Sequence, residues 1–515
     1  MYLTQGLHRA VQQRPDQVMT IFGERRRTYR EVADRVARLA GALRELGVRD
    51  GDRVAMLSLN SDRYSEYLLA VPWAGAVLNP VNTRWSVAEI AYSLRDSGSR
   101  MLLADDAFAP MLPALREACP ELSTVIHAGD GPAPDGAASY EDLIRAADPI
   151  EDVRRAGDDL AGVFYTGGTT GLPKGVMLSH ANLGTSWLGL AAGAAHLSAS
   201  DSFTLHAAPM YHLADLTSWG LTLQAGGTQV ILPGFEPRAV LAAIAEHRVT
   251  EALLVPTMIQ LLVDHPRLGQ YDLTSLRGIL YGASPMTPAL LERAMKALPE
   301  TAFTQAYGMT ELAPVATLLS PADHAQGHLL SAGRAAPHCE IRILDPDGSE
   351  LADGAIGEIA VRGGHVMSGY WNKPEETKAA LRDGWMHTGD AGYLDEQGYL
   401  YVVDRIKDMI VSGGENVYAA EVENAIASHP AVAQCAVIGV PDQDWGERVH
   451  AVLVLRPEAT VTLGNLRAHT KSLIAGYKAP RSLEVVDELP LSGAGKVLKR
   501  DLRQKHWDGH EFRIR

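Results

Sequence analysis

The sequence predicts an α/β protein with a large domain on a doubly wound parallel sheet and a small α+β domain after it. Three observations carry this. The chain has 515 residues, far beyond the ~250–300 at which one hydrophobic core stops growing. Over the first four hundred or so residues, short apolar runs alternate with helical segments, the pattern of parallel strands joined by crossover helices. From residue 408 onward the pattern changes to a mixture of helices and paired strands.

The elements follow in order. Residues 28–47 form a marked helix: Thr28 and Glu31 make a capping-box pair, and Val32, Val36, Leu39, Leu43 and Leu46 recur at helical spacing. Gly47 stands where a C-terminal cap belongs. RVAMLSL at 53–59 is a strand, and SVAEIAYSL at 86–94 opens a second helix on Ser86 and Glu89. RMLLADD and STVIHAG are further short strands, and residues 129–140, rich in Gly, Pro and Ala, are a loop within the domain. ALLVPT at 252–257 and RGILYGASPM at 277–286 are strand-to-loop transitions. In the last segment AAEVENAIASHP and NLRAHTKSLI are helices, and AVAQCAVIGV and RVHAVLVL are strands.

Composition narrows the function. Hydrophobic residues make up 46% and charged residues 21%, as in a soluble globular protein. A formal net charge of −15 with no basic tract argues against a nucleic-acid partner. Cys119, Cys339 and Cys435 lie far apart, give no disulfide framework or metal spacing, and fit a reducing cytoplasm. The N-terminal stretch has no apolar core of signal-peptide length, and LLAVPWAGAVL at 68–78 is too short to span a bilayer. We expect a cytoplasmic protein, and nothing in the composition opposes a homodimer.

The chemistry concentrates in AGVFYTGGTTGLPKGV, residues 161–176. Val163, Phe164 and Tyr165 end a buried strand. Thr166, Gly167, Gly168, Thr169, Thr170 and Gly171 follow, then Pro173 and Lys174. Glycines bring backbone amides close to a ligand, the threonines add hydroxyl donors and Lys174 adds a mobile positive charge; together they suit phosphate oxygens. A P-loop would need a glycine where Pro173 stands and a hydroxyl residue where Gly175 stands. No dinucleotide fingerprint is present either.

YTGGTTGLPKGV closely resembles the phosphate loop of the adenylate-forming enzymes: acyl-CoA synthetases, free-standing adenylation domains and luciferases. Further motifs similar to theirs follow in family order. Tyr211 and His212, after a proline, match an aromatic–His pair that borders the acyl carboxylate. Asp215 stands where a small apolar residue is expected; we read it as facing solvent, the alternative being a contact to substrate or acceptor. Gly282, Ala283 and Ser284 resemble the segment lying along adenine. In TQAYGMTE, Tyr307 can stack on the base, Thr310 can reach a phosphate and Glu311 can take magnesium. Asp390 and Arg405 resemble the ribose-binding pair; a carboxylate accepts two hydroxyl hydrogen bonds at once. Lys407 matches the hinge position, and Gly413 and Gly414 match a glycine turn beside the pantetheine path, or else a simple hairpin turn. Lys496, on a Ser-Gly-Ala-Gly turn, matches the main catalytic lysine of adenylation.

The resemblance covers nearly the whole chain. It implies an N-terminal ATP- and acyl-binding domain over 1–403, made of two α/β subdomains and a small distorted β-barrel. A hinge at 404–407 and a mobile C-terminal domain over 408–515 complete it. It also implies the reaction: a small-molecule carboxylic acid attacks ATP, pyrophosphate leaves, and the acyl group passes from AMP to coenzyme A. Thr166, Thr169, Thr170 and Lys174 would hold the outer phosphates and Glu311 the Mg2+. An acyl pocket is expected among His212, Trp219, Val255, Gly282, Gly308 and Ala313. Mostly small or apolar, these residues suit a fatty acyl chain or an aryl acid; because the chain most resembles bacterial fatty-acid–CoA ligases, a medium- to long-chain fatty acid is the favoured substrate, with aryl or alicyclic acids next. An amine acceptor is the alternative to CoA; a P-loop kinase and a nucleotide-binding protein without catalysis are the remaining rivals.

Overall fold

A computed structural model describes residues 1–166, 172–284, 286–412, 415–492 and 496–507, with only the backbone of Lys407. The helix Tyr29–Glu45 starts where its sequence directs: the Thr28 side chain and the Glu31 side chain each bond the other's backbone N–H. Ser86 and Glu89 do the same for Val87–Ser97. Gly47 follows the first helix with φ of 93°, a left-handed position that glycine takes without strain.

Four sheets organise the described residues. The first has eight strands, and its parallel core is Leu160–Thr166, Val77–Pro80, Arg53–Leu57, Met101–Ala104 and Thr124–His127. Lys174–Ser179 and then Gly369–Tyr370 extend it antiparallel to their neighbours. At the far edge Ala138–Ser139 adds a short parallel strand inside the expected 129–140 loop, because Ser139 both pairs with His127 and caps the helix Tyr140–Ala146.

The second sheet has nine strands. Its parallel core runs Ala302–Tyr307, Gly278–Gly282, Glu251–Leu254, Phe203–His206, Thr228–Ile231 and Val18–Phe22. The helices His180–Gly193 and Leu213–Ala225 pack together between the two sheets, with Trp187 edge-on to Trp219 at 6.3 Å. The small barrel expected from the sequence takes the form of a five-stranded antiparallel sheet over Cys339–Arg405.

A fourth sheet begins at Ile410 and is centred on the hairpin Val432–Asp442 with Gly446–Leu455. Among the described residues no strand pairing links it to the other three. The helices Ala419–Ala427 and Leu463–Lys471 pack against it around Val422, Ile426 and Leu466, all buried.

Candidate active site

The polar residues of interest sit where the parallel strands end. Thr166 closes one strand of the first sheet, and Gly282 and Tyr307 close neighbouring strands of the second. The carboxyl end of a parallel sheet is where such folds leave a crevice for ligands. Thr166 pairs with Lys174 across the mouth of the loop. The Lys174 ammonium lies 5.0 Å from the centre of the Tyr370 ring, and the Tyr370 hydroxyl donates to Glu311 Oε1 at 2.8 Å. Tyr370 reaches this place because its two-residue strand pairs with Lys174–Ser179.

Glu311 is buried within the 3-10 turn Thr310–Leu312, next in sequence to Thr310. Carboxylate and hydroxyl oxygens are the donor set that a hard cation such as Mg2+ prefers, so the residues fit that ion. Close by, Asp390 is buried and bonded on both oxygens. Tyr307 donates to Oδ2 at 2.8 Å, and Arg405 Nε lies 3.0 Å from Oδ1. The strands carrying Asp390 and Arg405 pair so that these two residues stand opposite each other.

Lys496 joins this group. Burial pushes its amine pKa down and the Arg405 charge pushes the same way, while Asp390 and Glu311 pull it back up. The Ser492 carbonyl accepts from Arg84 Nη1 at 3.1 Å, which docks the segment before Lys496 on the large domain. His212 stands at the start of the helix Leu213–Ala225, with its ring 4.5 Å from Tyr211. Its Nε2 is buried without a partner. Burial lowers its pKa to about 4, with Lys496 and Arg84 adding to the effect. The imidazole is therefore neutral at pH 7 and can accept or donate a hydrogen bond. The arrangement places a cation, a neutral imidazole and two carboxylates around one crevice.

The profile of the "AMP-binding enzyme" family matches residues 7–371, and that of the "AMP-binding enzyme C-terminal domain" matches 421–496. The chain belongs to this family. It is an adenylate-forming enzyme, an AMP-forming acid–thiol ligase. A feruloyl-CoA synthase of an Amycolatopsis species is 43% identical over 479 residues, 93% of this chain and 94% of that one. An indoleacetate–CoA ligase of Aromatoleum aromaticum is 38% identical over 98% of each chain. Among solved structures, ATP-bound MatB from Rhodopseudomonas palustris has a TM-score of 0.89 at 33% identity, covering 99% of this chain and 100% of its own.

The structure places the remaining candidates of this AMP-binding enzyme and corrects the reading of Asp215. Trp219 is 1% exposed, and its indole N–H donates to Ser65 Oγ at 2.9 Å. The helix turns a different side, with Ala214 and Leu221, towards the second sheet, where Leu253, Leu280 and Ala306 meet them. Asp215 does not face solvent. It is fully buried, and its Oδ2 lies 3.0 Å from His206 Nδ1, itself fully buried.

The small size of Gly282 and Gly308 has a packing cause: an added Cβ would meet the Ala306 carbonyl at 2.1 Å and the Pro314 carbonyl at 1.9 Å. Ala283 and Ala313 hold positive φ of 66° and 56°, an unusual backbone for alanine beside a candidate site. Val255 is buried where its strand enters the helix Pro256–Val263, and Ser284 follows Ala283 in the bend beyond Gly282. Gly167, Gly168, Thr169, Thr170, Gly413 and Gly414 lie outside the described residues, as does the Lys407 side chain.

Sequence reasoning missed Arg84 and Tyr370. Both become neighbours of the site only through pairing distant in the chain.

Proposed function

We propose that this enzyme converts an aryl carboxylic acid to its CoA thioester through an acyl-adenylate. The observation that carries the reading is the meeting of Lys496, from the far end of the chain, with His212, Glu311, Asp390 and Arg405 at the ends of the parallel strands. In the first step a carboxylate oxygen of the acid attacks the α-phosphorus of ATP. The bond to pyrophosphate breaks and an acyl-AMP mixed anhydride remains. The protein's task is alignment and charge neutralisation, not covalent chemistry.

Lys496 would face the negative charge that grows between carboxylate and α-phosphate. A preorganised charge of that kind contributes about 3–4 kcal/mol, or about 10²–10³ in rate. Asp390 would accept the ribose hydroxyls, and Thr166, Thr169, Thr170 and Lys174 would hold the outer phosphates. Glu311 would hold magnesium, which when bound neutralises phosphate charge, and Thr310 would reach a phosphate. His212, neutral at working pH, would hydrogen-bond the acid without a fixed charge of its own. In the second step the CoA sulfur attacks the acyl carbon, the bond to AMP breaks and the thiol proton is lost to solvent. The turn at Gly413 and Gly414 would border the thiol's path once the C-terminal domain has rotated about Lys407.

An aryl acid is preferred because relatives 43% and 38% identical are named for feruloyl and indoleacetate groups. Small side chains such as Ala214 and Ala306 suit a flat ring. A medium- to long-chain fatty acid is the second reading, favoured by the leucines Leu221, Leu253 and Leu280 behind them. The test is pyrophosphate release with ATP, magnesium and a panel of acids, with and without CoA. Turnover of hydroxycinnamic or arylacetic acids, CoA-dependent and at least tenfold above C8–C16 fatty acids, is expected. Preference for the fatty acids would reverse the substrate assignment, and turnover needing an amine would reverse the acceptor.

A further inference from the structure

The C-terminal domain holds a second cluster of ligating side chains, on the face of its sheet away from the helices Ala419–Ala427 and Leu463–Lys471. Strand Ser482–Val485 runs parallel to Gly446–Leu455, with His450 opposite Ser482 and Val452 opposite Glu484. Residues two apart in a strand share a face, so His450, Val452, Ser482 and Glu484 all project to one side. The helix Lys499–Trp507 covers that side through Leu502, which packs with Val452, Ile438 and Val440. His506 lies one turn beyond Leu502 on the same helix face.

The result is three ligand atoms at one point. His450 Nε2 is 4.0 Å and His506 Nε2 is 3.9 Å from Glu484 Oε2, and the two rings are 4.8 Å apart. Both Nε2 atoms are buried and have no hydrogen-bond partner. Meanwhile His450 Nδ1 lies 2.7 Å from Ser482 Oγ. When Nδ1–H donates to that hydroxyl, Nε2 presents its lone pair to the centre. A second hydrogen bond of this kind is what orients metal-binding histidines.

Two unpartnered buried imidazole nitrogens facing a carboxylate are costly without a guest. We propose that His450, Glu484 and His506 bind one divalent transition ion of the zinc type. The ligand set of two histidines and one glutamate suits that ion, and three protein ligands leave a fourth position for water. Around a tetrahedral ion with bonds of about 2.0 Å the ligand atoms stand about 3.3 Å apart. The two spacings to Glu484 need to close by about 0.7 Å, and all three ligand atoms already lie within 4.8 Å of one another, distances that side-chain rotation can close. The site is separate from the candidate magnesium position at Glu311.

Its placement gives it a role in shaping the domain. The helix that carries His506 begins at Lys499, three residues beyond Lys496. It is tied at its start by Lys499 to Glu423 at 2.8 Å and midway by Arg503 to Asp408. An ion at His506 would fasten its other end to the sheet.

The test uses the full chain, stripped of metal by a chelator that is then removed, and Co2+ or Zn2+ alone as the probe. Titration with Co2+ should produce the visible ligand-field bands of a four-coordinate ion at one equivalent, and Zn2+ should erase them. His506→Ala and Glu484→Gln should each abolish the bands and weaken Zn2+ binding by at least about 100-fold. His429→Ala, whose ring packs against His469 outside the cluster, should leave both unchanged. Absence of the bands in the parent protein, their persistence in the two cluster variants or their loss in His429→Ala would each overturn the proposal.

Discussion

At the scale of single residues, Asp215 shows what a short motif reading misses. Placed beside an aromatic–His pair, it reads as a charged residue turned to solvent. Its helix begins at Leu213, and Asp215, Trp219 and Leu223 fall four residues apart on one buried side. That periodicity was available in the sequence; the partner was not, because His206 comes from the end of a strand and the pairing needs the chain to turn back on itself. Removing the carboxylate leaves a buried imidazole N–H without an acceptor, which costs about 1–3 kcal/mol. Asp215→Ala should therefore lower unfolding stability by that amount in urea, and Asp215→Asn, which keeps an acceptor, by less. A wild-type midpoint for Asp215→Ala would show that the pair carries no stability. The catalytic candidates, by contrast, could be singled out only through the resemblance of their short runs to family motifs, since a lone His212 or a Lys496 on a glycine turn has no chemistry of its own that marks it.

At the scale of elements, capping boxes and glycine turns set the helices and strands as read, and the parallel strand ends brought Thr166, Gly282 and Tyr307 to one edge. What stayed hidden were contacts between elements far apart in sequence, such as Tyr370 on Glu311 and Arg84 on Ser492. The junction near Arg405 is also such a contact. Asp404 accepts from the backbone N–H of Arg405 at 2.8 Å and of Ala419 at 2.6 Å, so the last strand before the proposed hinge holds the first helix after it. In the arrangement seen, Lys496 lies near Glu311, Asp390 and Arg405, where, on the proposed function, it would serve adenylation and stand in the way of the thiol. Rotation about the backbone at Lys407 would exchange the two tasks. Lys407→Pro fixes one torsion there. It should slow thioester formation at least about tenfold, a barrier of about 1.4 kcal/mol, while sparing pyrophosphate release. Equal slowing of both steps would remove the hinge from the mechanism.

The whole molecule carries its own pH signature. Burial lowers the pKa of His180 to about 4, with Arg155 assisting and Asp159 opposing. Burial also lowers His365 to about 3, His338 adding to the effect, and His212 to about 4. Between about pH 4 and 6.5 the unfolded chain binds protons at these rings that the folded chain refuses, so stability rises with pH there and falls on acidification. Each ring contributes on the order of 3 kcal/mol across that window. Asp404 works the other way, since burial lifts it to about 6 with Glu423 adding and Lys499 opposing, and it offsets about one histidine. Thermal midpoints should fall as pH drops from 7 to 5; constancy over that range would contradict the buried-histidine assignment. The order of motifs along the chain made the family and the two-step chemistry legible, whereas the identity of the acid was not, because the pocket walls come from helices and strands brought together only by folding. The central claim is that Lys496 serves the first step and not the second. The direct measurement is to give Lys496→Ala either ATP and acid, or preformed acyl-adenylate and CoA. Pyrophosphate release should fall by about 10²–10³ while thioester formation from the adenylate stays near that of the parent enzyme; an equal fall in both would contradict the account.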